Sequence, residues 1–258
     1  MRARRIQESS VNVLLRPLSL FLLVLRPLCY VRKRVSLSDM NFVRQVYLLL
    51  RIEITLEWRS KYALNGVLLY VISTVFVCYQ AFKSVHPVIW NALFWIILLF
   101  TSINAISKSF TQESKARQLY YYTLVSAQAI ILSKIIYNVL LMLLLATVAF
   151  FAYSTIFRNE IGDPPLYFIT ILLGSISFGT ALTMVSGISA KANNSGTLMA
   201  ILSFPVLIPV IIVLIKLSKN AMDGLERSVS YDEIGVLLAI NLIVLTVSLL
   251  LFPYIWRD

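Results

Sequence analysis

The sequence predicts an all-α integral membrane protein with six transmembrane helices behind an N-terminal interfacial helix. Of its 258 residues, 59% are hydrophobic and only 14% are charged, and the mean hydropathy is +0.82. A helix needs about 20 mainly apolar residues to cross roughly 30 Å of hydrocarbon. Six stretches fit that requirement: Leu64–Phe82, Val88–Ser107, Ala129–Phe157, Leu166–Ala190, Thr197–Ile215 and Ile234–Trp256.

The first 39 residues differ from the rest of the chain. Their apolar run, Leu18–Leu25, lies between two Arg-Pro pairs and is too short to span a bilayer. An arginine-rich segment with few acids fits a transit peptide, a crude signal, or translated sequence upstream of a start at Met40. We favour Met40, and we take 1–39 as an N-terminal extension and 40–258 as a single six-span membrane domain.

An interfacial helix is predicted over 41–62, directly before the first span. Apolar positions alternate there with charged ones, and this pattern is typical of a helix lying on a membrane surface. The apolar positions are Phe42, Val43, Val46, Leu49, Leu50, Ile54 and Trp58, and the charged ones are Arg44, Arg51, Glu53, Glu57 and Arg59. We expect the charged face to point to water on the cytoplasmic leaflet.

The net charge of +11 is distributed by membrane side and does not form a basic patch with interleaved aromatics, which argues against a nucleic-acid partner. One side carries Arg44, Arg51, Arg59, Lys61, Lys108, Lys115, Arg117 and Lys191. The other side carries the acids Glu160, Asp163, Asp223, Glu226, Asp232 and Glu233, partly balanced by Lys83, Arg158, Lys216, Lys219 and Arg227. By the positive-inside rule, both termini are cytoplasmic.

The segment 108–128, between the second and third spans, is polar and contains three successive tyrosines, Tyr120–Tyr122. Such a segment can form a short amphipathic helix with its tyrosines in the headgroup layer and its charges turned to water or a soluble partner. A loop that only reverses the chain is the alternative.

Within the spans, Lys134 is the one ionisable residue well inside an apolar stretch, and it is close enough to the cytoplasmic end to snorkel. Small residues recur at every fourth position of the fourth span, which permits close packing or a groove: Ser175, Gly179, Thr183 and Gly187. Pro205 and Pro209 are predicted to kink or break the fifth span, as a moving element or a static bend.

Signatures of catalysis and metal binding are missing. The sequence has no Walker A loop, Gly-x-Ser-x-Gly elbow or His-Glu-x-x-His helix, so an ATP-driven role would require a separate ATPase. It has no Cys-x-x-Cys-His and no clustered Cys/His spacing, so no metal site and no covalent haem are predicted. His86 precedes Pro87 and is interpreted as the start of a helix, with a haem contact as the alternative. Asp223-Gly224 is interpreted as a turn.

From about Phe42 to the C-terminus, the chain resembles the CcmB family, the haem exporter B subunit of the cytochrome c maturation ABC system. The strongest segment is Leu93–Lys134, which is similar to the family's second span, charged loop and returning helix with its lysine. The segment 196–213, with Pro205 and Pro209, is similar to the family's fifth span with its paired prolines.

This resemblance implies an ABC-2-like permease bundle that works with a cytoplasmic, CcmA-like ATPase and with CcmC- and CcmD-like membrane subunits. Haem would be the handled species, ATP would act through the partner, and the bacterial inner membrane would be the location, with the mitochondrial inner membrane as the alternative. Residues assigned to ATPase coupling are Glu113, Lys115, Arg117, Gln118, Tyr120, Tyr121 and Tyr122. Those assigned to helix packing or conformational change are Lys134, Ser175, Gly179, Gly187, Pro205 and Pro209.

Two other functions remain open from the residues alone, and a third lacks the residues that it needs. An ABC-2-type exporter permease for a lipid, polysaccharide or drug shares the six spans and the cytoplasmic termini. A structural subunit of a membrane assembly would need no transport path. A membrane-embedded enzyme acting on lipid headgroups would need convergent acids or histidines at one depth, and the sequence offers none.

Overall fold

A computed structural model describes residues 41–59, 62–82, 86–111, 125–157, 161–192 and 195–257. The chain divides into two units, Met1–Gln45 and Val46–Asp258. In the first, only the beginning of a helix is described, where the amides of Arg44 and Gln45 donate to the carbonyl of Asn41. The second unit contains all the contacts discussed below.

The described chain is helical and contains no strand. The helices, in chain order, are α1 (Phe42–Arg59), α2 (Tyr62–Ala81), α3 (Pro87–Ile106), α4 (Lys108–Thr111), α5 (Ala127–Phe157), α6 (Pro164–Ser189), α7 (Ser195–Met222) and α8 (Tyr231–Arg257), with a 3-10 helix at Arg227–Ser230 before α8. The expected all-α membrane protein is therefore confirmed.

Five helical stretches within the described residues are long and apolar enough to cross a membrane: Pro87–Ile106, Ala127–Phe157, Pro164–Ser189, Ser195–Met222 and Arg227–Tyr254. These stretches correspond to the last five predicted spans. The first predicted span coincides with α2, whose apolar part Asn65–Ala81 is shorter than the others. A sixth span therefore stays a prediction.

Helix α6 lies at the centre of the second unit and is the most buried of the five candidate spans. It packs against α5, α7 and α8. A Cβ atom at Gly179 would lie 2.8 Å from the Cα of Val139, and one at Gly174 would lie 2.7 Å from the Trp95 ring. Because both distances are too short for a real side chain, these glycines permit the close approach of α5 and α3 to α6.

Helix α7 continues without interruption from Ser195 to Met222, although it contains Pro205 and Pro209. Of the two expected outcomes, the break is therefore not present, and the kink stays a prediction. Each proline removes one backbone hydrogen bond, but the packing of α3, α6 and α8 against α7 holds the helix together.

The connections on the predicted outer side are tied together. The amide of Asp163 donates to the carbonyl of Ala221 at 2.8 Å, and Arg227 donates to both Asp163 carboxylate oxygens at 2.8 and 3.1 Å. Gly224 has φ of +64° within the expected turn and packs against the backbone of Gly162. These contacts join the start of α6 to the α7–α8 connection.

Candidate functional site

A buried lysine lies near the start of α5. The charge distribution predicts that this end of the helix is cytoplasmic. The side chain of Lys134 is 2% exposed, and its Nζ lies 3.0 Å from Oε1 of Glu53 in α1. The same ammonium group donates to the backbone carbonyl of Ser109 at 2.8 Å. It also lies 4.7 Å from the centre of the Phe110 ring. One side chain of α5 thus contacts both α1 and α4.

This pairing is needed because an isolated ammonium group is expensive to bury. Lys134 lies seven residues into α5, which is about 10 Å along the helix at 1.5 Å per residue. The sequence suggested that its ammonium group would extend to water, but the structure covers it with Glu53, the Ser109 carbonyl and the Phe110 ring. A buried charge is tolerated when a counter-ion and hydrogen bonds replace its hydration.

Asn138, one turn after Lys134, extends the polar contacts to α6. Its Nδ2 donates to Oγ of Ser109 at 3.1 Å and to Oγ1 of Thr183 at 2.8 Å. The Thr183 hydroxyl in turn donates to the carbonyl of Gly179. We call the set of Glu53, Ser109, Lys134, Asn138 and Thr183 the Lys134 cluster, and it joins α1, α4, α5 and α6.

Glu57 continues the acidic face of α1 one turn beyond Glu53 and lies next to the hydroxyl of Tyr137 in α5. Partial burial, with a smaller contribution from the charge of Glu53, raises the pKa of Glu57, although the nearby Tyr137 hydroxyl opposes that shift. The acids of α1 thus turn toward α5 and are partly buried there.

Sequence reasoning missed the partnership of Glu53 with Lys134, because Glu53 and Glu57 were grouped with the water-facing charges. The position of Glu53 in α1 could have indicated that it is partly buried. Glu53 follows the buried residues Val46 and Leu49 by seven and four positions, so all three lie on one stripe of the helix. An acid on a buried stripe requires a cation opposite it.

The predicted ATPase-coupling residues, Glu113, Lys115, Arg117, Gln118, Tyr120, Tyr121 and Tyr122, lie outside the described residues. The described chain ends at Thr111 before this loop and resumes at Val125. Ser109 and Phe110 of the Lys134 contacts therefore directly precede the loop in sequence, and α5 directly follows it.

The other predicted residues lie in α6, which contacts the Lys134 cluster, and in α7, which does not contribute to it. Gly179 contacts the cluster through Thr183, and a Cβ at Gly187 would lie 3.6 Å from the Phe110 ring. Ser175 is buried two turns before Thr183, and its hydroxyl donates to the carbonyl of Ile171 at 2.8 Å. Pro205 and Pro209 belong to α7, which contributes no residue to the Lys134 cluster.

The opposite end of the helices is filled with aromatic side chains. Trp90, Phe94, Phe150, Tyr153 and Tyr167 pack with ring centres 4.9 to 6.2 Å apart. The Tyr153 hydroxyl donates to the Trp90 carbonyl at 3.1 Å. This packing joins α3, α5 and α6 far from the Lys134 cluster.

Helices α3 and α7 are joined by two hydrogen bonds, one buried and one partly buried, that the sequence did not reveal. Trp95 Nε1 donates to Oγ of Ser218 at 2.8 Å, and Asn91 Nδ2 donates to the carbonyl of Ile215 at 3.0 Å. These polar pairs fix the register of the two helices.

His86 is the N-cap residue of α3, with Pro87 in the first turn. Its side chain makes no capping hydrogen bond, while its carbonyl accepts from the amide of Trp90. Among the described residues, no group of three His, Cys, Asp or Glu side chains could hold a metal ion. The geometry agrees with the interpretation of His86 as a helix start.

Residues 44–255 match the family described as CcmB protein. The match covers most of the chain, from the first turn of α1 to the end of α8, and it includes every residue of the Lys134 cluster. The chain belongs to the CcmB family.

CcmB proteins are membrane transport subunits associated with haem transport and cytochrome c biogenesis, and they are not catalytic enzymes. Membership confirms the resemblance seen in the second to third and fifth spans. No curated protein shows significant similarity to the chain.

Proposed function

We propose that this CcmB protein is the permease-like subunit of an ABC complex that handles or exports haem for c-type cytochrome biogenesis. The observation that carries this proposal is the CcmB match over residues 44–255, on a set of helices able to cross a membrane. A separate cytoplasmic ATPase supplies the energy, since the sequence has no phosphate-binding loop.

In this proposal, the protein lies in the bacterial inner membrane with both termini in the cytoplasm. Helix α2 crosses the membrane as well, as the first of six spans in chain order. The clustering of basic residues on one side supports this orientation. It places the Lys134 cluster at the cytoplasmic side and the Asp163–Arg227 pair outside. The mitochondrial inner membrane is the alternative location. Helix α1 lies on the cytoplasmic leaflet.

The CcmA-like ATPase docks on segment 108–128, with Glu113, Lys115 and Arg117 at the contact and Tyr120–Tyr122 setting its depth. Two features support this assignment. The segment is charged and lies between two candidate spans. Its described flanks, α4 and the start of α5, are held by buried polar contacts. CcmC- and CcmD-like subunits are the expected membrane partners, and haem is the handled species.

Movement of the loop would be passed on through tightly packed helices. Helix α5 touches α6 at the Gly179–Val139 contact, where Gly179 contributes no side chain and the two backbones lie close together. Helix α6 packs in turn against α7, in which Pro205 and Pro209 lower the cost of bending. ATP-driven displacement of α3 and α5 would therefore reach α7 through α6.

The experiment that tests the proposal is a pull-down of the tagged protein from detergent-solubilised membranes, with detection of copurifying ATPase and of haem by its Soret absorbance. We expect a cytochrome-maturation ATPase and haem-handling membrane subunits. Recovery with an unrelated exporter ATPase would support the lipid, polysaccharide or drug exporter. Recovery without any ATPase would support the structural subunit.

The docking assignment has its own test. Lys115→Glu combined with Arg117→Glu should abolish recovery of the ATPase while the protein still inserts into membranes. The matched control is Lys83→Glu with Arg158→Glu, which makes the same charge change in the predicted outer loops. If the ATPase is recovered equally with both double variants, segment 108–128 is not its docking site.

A further inference from the structure

We propose that Lys134 is a positioning residue that joins α1 to the Ser109–Phe110 segment, so that α1 moves together with the base of the ATPase-docking loop. This inference rests on the proposed function, in which that loop receives the motion of the ATPase. It adds a part for α1, which would report or restrain that motion although it lies far from the loop in sequence.

The geometry places the two segments on one ammonium group. Glu53 of α1 accepts from Lys134 Nζ at 3.0 Å, and the Ser109 carbonyl accepts from the same nitrogen at 2.8 Å. The face of the Phe110 ring lies 4.7 Å away and adds a cation–π contact. Neither segment can withdraw from Lys134 without removing one of these contacts.

Burial makes that withdrawal costly. The side chain of Lys134 is 2% exposed and that of Glu53 is 17% exposed, so water reaches the pair poorly. Removal of one partner from a buried ion pair leaves the other charge unpaired in a low-dielectric environment, which is strongly unfavourable. The joint should therefore act as a rigid connection and not as a loose surface contact.

Apolar packing surrounds the joint. The buried side chains of Val46, Leu49, Phe110, Ile131 and Ile135 belong to a small hydrophobic cluster that also includes Phe252 near the end of α8. A second, larger cluster holds the core formed mainly by α2, α3, α5, α6 and α7. Helix α1, the loop flank and the first turns of α5 thus share one cluster with the end of α8, so the ion pair and the apolar contacts hold the same segments together.

Two substitutions distinguish the contact of Lys134 with α1 from its contacts with the Ser109–Phe110 segment. Glu53→Gln removes the counter-ion in α1 but leaves the Ser109 carbonyl and the Phe110 ring for Lys134. Lys134→Met removes the contacts with both segments and keeps a side chain of nearly the same length. In the isolated full-length protein in nanodiscs, we measure amide hydrogen exchange over 46–57 and 106–111.

We expect Glu53→Gln to raise exchange about tenfold in 46–57 alone, and Lys134→Met to raise it about tenfold in both segments, in keeping with the loss of a charge-assisted hydrogen bond. The matched control is Lys216→Met, which removes the same type of side chain from a distant pair with Glu233, in which the lysine is exposed. It should leave both segments as in the unaltered protein. Unchanged exchange in 46–57 for Glu53→Gln and Lys134→Met would overturn the proposal.

A charge exchange covers the case in which Lys134→Met does not fold. Glu53→Lys and Lys134→Glu should each loosen α1, whereas the double variant should recover slow exchange in 46–57. If exchange in 46–57 is as fast in the double variant as in the single variants, the two residues do not act as a pair and the proposed joint is wrong.

The functional readout is made in the complex with the copurified ATPase. Addition of ATP should change exchange in 46–57 and 106–111 together, and in Glu53→Gln it should change only 106–111. The ATPase should remain bound to that variant. If no ATPase copurifies with the unaltered protein, the proposed function fails, but the isolated protein still decides whether Lys134 joins the two segments.

Discussion

At the scale of single residues, Lys134 shows how a charged side chain can be buried inside an apolar helix. Its ammonium group is balanced by Glu53 and by the Ser109 carbonyl, and Asn138 beside it is bonded to Ser109 and Thr183. Each of these polar groups is bonded to another helix. These contacts have the form expected of a joint between helices, as proposed above.

Glycine substitutions test the closest helix contact. Gly179→Ala should destabilise the protein by about 1–3 kcal/mol, because its Cβ would lie 2.8 Å from the Val139 Cα and force α5 and α6 apart. The measurement is the thermal unfolding midpoint in detergent.

The control is Gly66→Ala, since a Cβ there meets nothing within 4 Å. Both glycines lie inside helices, and alanine at Gly66 should stabilise by roughly 0.5–1 kcal/mol through its better helix propensity. Equal midpoints for the two variants would show that the α5–α6 contact is looser than the structure indicates.

At the scale of elements, α1 differs most from its expected orientation. Its apolar and charged positions were expected to divide between lipid and water. In the structure, Val46, Leu49 and Glu53 share the face turned to the bundle, while Tyr47 and Ile54 are exposed. The helix is still amphipathic, but its acid Glu53 pairs with a cation that is distant in sequence.

The start of α6 should show a pH-dependent stability. Hydrogen bonds from Arg227 hold the pKa of Asp163 below its ordinary value of 3.8. The folded protein therefore binds this proton less readily than the unfolded chain, and the stabilisation is complete above the ordinary pKa and disappears as the pH falls through the lowered one.

Asp163→Asn provides the comparison. Asparagine keeps a side-chain oxygen for the Leu166 amide but loses the ion pair with Arg227. The unaltered protein should unfold at a higher temperature than the variant at neutral pH, and the two should converge in acid below the lowered pKa. A difference that persists undiminished in acid would contradict this assignment.

Substitution of both prolines of α7 tests whether this helix must bend. Pro205→Ala with Pro209→Ala restores two amide donors, for the carbonyls of Ile201 and Pro205, in a helix that is already continuous. We expect an equal or higher unfolding temperature together with reduced ATP-dependent haem handling, because a helix without the two prolines is stiffer.

Pro253→Ala in α8 is the matched control, as it removes a proline inside another long helix that has no assigned part in the movement. It should leave haem handling unchanged. Full activity in the double variant would show that the prolines of α7 are only structural.

At the scale of the whole molecule, the number of spans decides which side of the membrane holds α1. Single cysteines at Asn41, His86, Lys191 and Leu225, all exposed, report each side in a variant without Cys29 and Cys78. If α2 crosses the membrane, a membrane-impermeant thiol reagent added outside intact cells should label the positions of His86 and Leu225, and spare those of Asn41 and Lys191.

Labelling of the position of Asn41 from outside, together with that of His86, would show that α2 does not cross. Labelling of the position of Lys191 from outside would instead reverse the whole orientation. The two errors are therefore distinguishable from one set of variants. Labelling after the cells are opened confirms that each cysteine can react.

The sequence by itself determined the class of protein and the position of the five candidate spans, because the cost of placing a segment in hydrocarbon depends mainly on its own composition. It also indicated the start of α3 at Pro87 and the turn at Gly224, since both depend on local backbone chemistry.

Only the tertiary structure decided what faces what. Glu53 and Lys134 are 81 positions apart, and no local pattern says that they meet. Gly174 fits against Trp95, although it lies outside the four-residue repeat around Gly179 that the sequence predicts to pack closely. Such pairings depend on how helices distant in the chain pack together, because side-chain shape and buried charge are matched only in the assembled bundle.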